Sequence, residues 1–139
     1  MRENGERGMA VTEFALILPI LLVIIFGIIE GSRVFSAWLE ITNDAREGAR
    51  YGVVRVGDPQ SEPTLISDVK RLVTVRAAGV IDTDPRKFGV TATISGPPGA
   101  SDVAFTVFVV YKMDIYMPLV QQLLPNPLTL TARSTMRAE

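Results

Sequence analysis

FALILPILLVIIFGII, residues 14–29, is a run of sixteen residues without a charge. Extending it back to Met9 gives twenty-one residues with a single carboxylate, Glu13. A helix rises about 1.5 Å per residue and a bilayer's hydrocarbon core is about 30 Å thick, so about 20 residues cross it. No face of the run is polar, which argues against a helix lying in the membrane surface. A secretory signal peptide has a basic start, a shorter apolar core and a small-x-small exit. Here the start, MRENGERG, carries two Arg and two Glu, and the core runs straight into IIEGSRVFSAWLE. The roughly 110 residues that remain have little use for a core helix apolar all round. Residues 9–30 therefore read as a retained membrane helix. Pro19, inside it, removes the amide that would bond the carbonyl of Ala15 and is expected to bend or loosen that turn. A lipid-embedded helix tolerates this where neighbours and local adjustments satisfy the carbonyl. Gly27 and Gly31 form a small-xxx-small pair that would permit close helix contact.

Outside that run the composition is ordinary. The chain has 139 residues, enough for one domain with an appendage but not for two full domains. It is 47% apolar with a mean hydropathy of +0.28, an excess concentrated in the N-terminal run. Fourteen Lys+Arg against fifteen Asp+Glu give a net charge of −1, without the cationic footprint of a nucleic-acid binder. Histidine and cysteine are both absent. Ser-His-Asp and Cys-His catalysis, His/Cys zinc sites, haem, iron–sulfur clusters and disulfides are thereby excluded. Zero cysteine suits any compartment, so the redox setting stays open. These features describe a membrane-associated protein that is not an enzyme and calls for no cofactor or metal.

Arg7-Gly8 followed by Met9-Ala10-Val11-Thr12-Glu13-Phe14, and then by an apolar run holding Pro19, resembles the type IV prepilin signal. In that pattern a prepilin peptidase cuts after the glycine and leaves the glutamate fifth in the mature chain. Gly5 fails the same test, since Ala10 lies five residues beyond it. A second block some thirty residues on, Asn43, Arg46, Glu47, Gly48, Ala49, Arg50, Tyr51 and Gly52, narrows the likeness. Together the two blocks are similar to the TadE-like pseudopilins of the tight-adherence (Flp) pilus system, over residues 7 to 55. The resemblance implies cleavage between Gly8 and Met9. It also implies that Glu13 pairs with the free amine of a neighbouring subunit's Met9. An unpaired charge is expensive in low dielectric and a partner at fixed height offsets that cost, so such a pair would set axial register. Positive charge lies on both sides of the run, Arg2 and Arg7 before it and Arg33, Arg46, Arg50 and Arg55 after it. Orientation, N-terminus cytoplasmic and C-terminal domain extracytoplasmic, therefore rests on the resemblance.

Beyond Glu30 the helix is expected to continue, with Val34, Trp38, Ile41, Ala45, Gly48/Ala49 and Gly52 as one apolar stripe. Arg33, Glu40, Asp44, Glu47 and Arg50 fall mostly off it. Small residues at 45, 48, 49 and 52 invite close approach of another element. The helix should stop near residues 54–57, with Asp58-Pro59 as breaker. Pro63 opens a second helix with Leu65, Ile66, Val69, Leu72 and Val73 on its apolar face, and Gly79 stands where a C-cap belongs. Residues 90–95 and 103–113 read as a strand pair joined at Gly96-Pro97-Pro98-Gly99. Residues 114–124 suit a short helix bounded by Pro118, Pro125 and Pro127. Residues 128–136 alternate, with Leu128, Leu130, Ala132, Ser134 and Met136 on one face. Asp58, Asp82 and Asp84 read as solvated turn residues, because no calcium-loop glycine and distal glutamate follow in register.

The expected architecture is α+β and pilin-like: a long N-terminal helix on a three-stranded antiparallel sheet, with a second helix. Three segments follow: a prepilin-type leader (1–8), a transmembrane helix (9–30) and an extracytoplasmic domain (31–139) that should fold alone. The function expected is that of a pseudopilin or minor pilin taking part in pilus assembly. Its partners would be the membrane, a prepilin peptidase, other pilins and pilus assembly proteins, with no nucleic acid and no small-molecule substrate. The alternative is an uncleaved single-pass anchor displaying an extracytoplasmic interaction domain. A membrane hydrolase has no supporting pair of carboxylates in the sequence context.

Overall fold

The computed structural model describes residues 3–58, 60–61, 63–96 and 103–138. One helix, α1 (Glu3–Arg55), runs from the N-terminal region through the apolar run and into the domain without a break at Pro19. It ends where the Asp58 turn begins: Asp58 Oδ1 accepts from the Gln60 amide and Oδ2 from the Ser61 hydroxyl. Then come α2 (Leu65–Ala77), β1 (Phe88–Ser95), β2 (Ala104–Met113), α3 (Pro118–Gln121) and β3 (Leu128–Arg137). The turn read at residues 96–99 lies mostly outside the described residues.

The strands form a β1-β2-β3 antiparallel sheet. Its register sets Val90 opposite Val109 and Ala92 opposite Val107, and on the other side Val109 opposite Ala132 and Phe105 opposite Met136. Alternation then sends Phe105, Val107, Val109, Tyr111 and Met113 of the central strand to one face, and all five are buried. Full burial of one such side chain contributes about 1.5–3 kcal/mol, well above the ~0–1 kcal/mol of an exposed ion pair. The central strand therefore decides which face the helices cover. Opposite it, β3 alternates as read from sequence, with Ala132 buried and Thr129, Thr131, Arg133 and Thr135 exposed.

The second half of α1 lies across that face and α2 packs against α1 and β1. The buried stripe of α1 is Ala37, Ile41, Ala45, Gly48, Ala49 and Gly52. Trp38, placed on the stripe from its spacing, is instead 43% exposed, and Ala37 takes the position. Lower in the stripe the packing is close. A Cβ at Gly48 would come within 2.7 Å of Val73 Cγ2, and one at Gly52 would overlap the Phe105 ring. At those two positions only glycine fits, whereas Ile41, further up the stripe, is fully buried. On α2 the buried residues are Leu65, Val69, Val73 and Ala77, a narrower stripe than expected, with Ile66 exposed and Leu72 half-buried. Ala78 rather than Gly79 is the C-cap, in right-handed helical geometry, so the helix does not close with a left-handed glycine.

Asp44 is the second correction. Expected off the stripe, it is 1% exposed and meets Arg76 of α2. Oδ1 accepts from Arg76 Nε at 3.3 Å, while Oδ2 has no hydrogen-bond partner among the described residues. Burial pushes this carboxyl above the ordinary Asp range and the nearby Glu40 pushes the same way; Arg76 opposes both without reversing them. An unfolded Asp titrates near ~3.9. Between that value and the raised one the folded state holds more protons, so this group makes stability fall as pH rises. Asp44→Asn cannot titrate there. Relative to wild type, the variant is expected to be more favourably placed at pH 7 than near pH 4, as read by urea denaturation at both. A difference that grows in the variant's favour on acidification would contradict the assignment.

Candidate membrane and processing segment

The four positions singled out in the sequence, Gly8, Met9, Glu13 and Pro19, all lie on the first half of α1, and all are exposed. Among the described residues none of the four is buried by the domain. Gly8 and Met9 are within the helix, and the Gly8 carbonyl also accepts the Thr12 hydroxyl at 2.6 Å. A Cβ at Gly8 would meet no described atom within 4 Å, so its surroundings do not demand a glycine. Met9 and Glu13 are four residues apart and share one face, about 6 Å along the axis. From Met9 to Ile29 the large apolar side chains stay mostly uncovered: Leu16 is 72% exposed and Ile28 64%. An isolated chain that leaves this much apolar surface bare is built for a medium other than water.

Where the helix enters the domain it carries a buried carboxylate that the sequence reading passed over. Glu30 is 2% exposed. Its Oε1 accepts the Tyr116 backbone amide at 3.1 Å and its Oε2 accepts Arg33 Nη1 at 2.8 Å. The Arg33 guanidinium also lies over the Tyr116 ring, 4.5 Å from its centre. Both oxygens are thus partnered, which a buried carboxylate requires. A signal was present, since Glu30 and Arg33 are an i,i+3 acid–base pair at the end of an uncharged run. The Tyr116 amide, 86 residues away, carried none.

The segment that Glu30 holds is the β2–β3 connection, residues 114–127. It is tied internally through Ile115, whose amide donates to Asn126 Oδ1 and whose carbonyl accepts Gln121 Nε2 at 2.5 Å. On its far side Lys87 Nζ bridges Asp82 and Asp114, 2.9 Å from each, and the two carboxylates hold its pKa above the usual lysine range. Asp82 and Asp84 accept the Asp84 and Arg86 amides, so they act as turn residues.

Because Glu30 clamps Tyr116, the domain's own contacts begin before residue 31. A soluble fragment starting at Ser32 is expected to be less stable than one starting at Gly27. The gap should be about 1–3 kcal/mol, the cost of leaving a buried amide unpaired. Urea denaturation of the two fragments measures it, and equal midpoints would show that the clamp contributes nothing.

Among the described residues one helix is long and apolar enough to cross a membrane, and it continues into an α+β head of sheet and second helix. Residues 8–50 match the family model described as TadE-like protein. The match covers the N-terminal helical region, and over that region the chain is similar to TadE-like proteins. No curated protein and no solved structure matches the chain. Among the described residues no group of three acidic, His or Cys side chains is placed to hold a metal ion.

Proposed function

We propose that this chain is a pseudopilin or minor pilin of a tight-adherence (Flp) pilus system, cut after Gly8 by a prepilin peptidase. The observation that carries the reading is where the family match begins: at Gly8, five residues before the lone carboxylate of the span. In this reading residues 1–8 are the leader, 9–30 cross the cytoplasmic membrane, and 31–139 form the extracytoplasmic domain. Hydrolysis of the Gly8–Met9 amide leaves a carboxylate on Gly8 and an amine on Met9. An α-amine of ordinary pKa, about 7.7–8.0, is largely protonated at neutral pH. It then offers Glu13 of an adjacent chain a charge partner, with the bare apolar face of α1 as the packing surface. Pro19 loosens the helix one and a half turns deeper, where such packing could adjust it.

Co-expression with a prepilin peptidase followed by intact-mass measurement tests the cut. The wild type is expected to lose residues 1–8, and Gly8→Trp to remain a 139-residue membrane species. Cleavage of that variant at the same bond, or no cleavage of the wild type, would leave the uncleaved anchor as the better reading.

A further inference from the structure

We propose that the 114–127 connection and residues 27–38 of α1 form a membrane-seated face, with the groove between them occupied by the acyl chain of a bilayer lipid. The groove has a volume of about 440 Å³, with Gly27, Gly31 and Val34 on one wall and Val120, Leu124 and Leu130 on the other. Gly27 places one end of it at the last turns of the apolar run. Gly27 lies about 4–5 Å below Glu30 along the axis. The opposing wall therefore descends past Glu30 to the level of the apolar run.

Depth follows from helix rise. With residues 9–30 filling the hydrocarbon core, Phe35 is about 7–8 Å further out, within the interfacial layer, which is about 5–8 Å thick on each side. Trp38 starts about 12 Å out, but helical side chains lean toward the N-terminus and Trp38 lines the same groove as Gly27. The side chains at that height have interfacial chemistry. Phe35 is 58% exposed and its ring centre is 6.1 Å from that of Trp38; Tyr116 is 67% exposed under Arg33. Aromatic residues with an apolar body and a polar edge collect at this level, and an arginine can reach from it to the headgroups. The connection also bares Leu123, 80% exposed, next in sequence to Leu124, which shares the groove with Phe35 and Trp38. In water that pair would be a liability, whereas in lipid it is an anchor. Glu30, at the edge of the hydrocarbon in this placement, is the charge that lipid would penalise, and it is sealed by Arg33 and the Tyr116 amide.

The inference rests on α1 crossing a membrane and not on cleavage after Gly8. The chain contains one tryptophan, Trp38, and no cysteine. Depth can therefore be read on the full chain in vesicles of phosphatidylethanolamine and phosphatidylglycerol doped with phosphatidylcholine brominated on the upper acyl chain. Flotation of the vesicles first reports insertion. Trp38 emission is expected to be lost largely to the brominated lipid. A polarity-sensitive label on Leu123→Cys should behave likewise, while the same label on Val54→Cys, at the far end of α1, should be quenched only by aqueous iodide. Chain that fails to float overturns the spanning reading and this inference together. Chain that floats, but whose Trp38 and residue 123 label respond to iodide as residue 54 does, overturns this inference alone. Shielding from both quenchers that appears only at high protein-to-lipid ratio would assign the groove to a second copy and also overturn it.

Discussion

Glu13→Gln is expected to leave cleavage after Gly8 intact and to remove most of the chain's recovery with its pilus-system partners. The scissile bond and the polar leader are untouched by the change, so the mature mass should appear as in wild type. What changes is the carboxylate on the exposed face of α1, one helical turn from Met9. If it pairs with a neighbouring Met9 amine, the variant leaves that ammonium unmatched in low dielectric. Breaking such a pair from one side costs about 3–5 kcal/mol. If Glu13 only marks headgroup depth, the substitution is nearly silent, because a neutral amide is easier to place near lipid than a carboxylate. One variant and two readouts separate these outcomes: mass of the processed chain, and pull-down of pilus-system proteins from detergent extracts. Normal mass with normal recovery would reduce Glu13 to an interfacial residue and remove the register role.

Gly52→Ala should destabilise the domain by about 1–3 kcal/mol, the range for overpacking a filled core. The added methyl would overlap the ring of Phe105, which has no exposed surface and sits on the central strand facing α1. Alanine is the better helix residue by about 1 kcal/mol, so the helix gains while the contact loses, and the contact wins because neither element can retreat. Gly89→Ala is the control: no described atom lies within 4 Å of a Cβ there, and its change should be small. Denaturation of the soluble fragment from Gly27 measures both. A Gly52→Ala variant as stable as wild type would show that helix and sheet pack less closely than described.

The membrane segment was legible because its cause is local: sixteen consecutive uncharged residues can be counted without knowing what surrounds them. The same holds for residues 128–136, where period-two alternation with a threonine-rich outer side marks a half-buried strand in any context. It holds as well for the end of α1 at Asp58, a turn whose hydrogen bonds reach only two and three residues. Burial of charge was not legible. Asp44 and Glu30 look like solvated helix carboxylates in the chain, and their partners Arg76 and Tyr116 stand 32 and 86 residues away. Folding supplied those partners, and without them neither carboxylate would tolerate the interior. The stripe on α1 was read one position wrong at Trp38 for a related reason. Periodicity shows that a helix has an apolar face but not how near the next surface comes. Here the Phe105 and Val73 side chains come so close that only glycine fits at positions 52 and 48, while Ile41 is fully buried and Trp38 is 43% exposed.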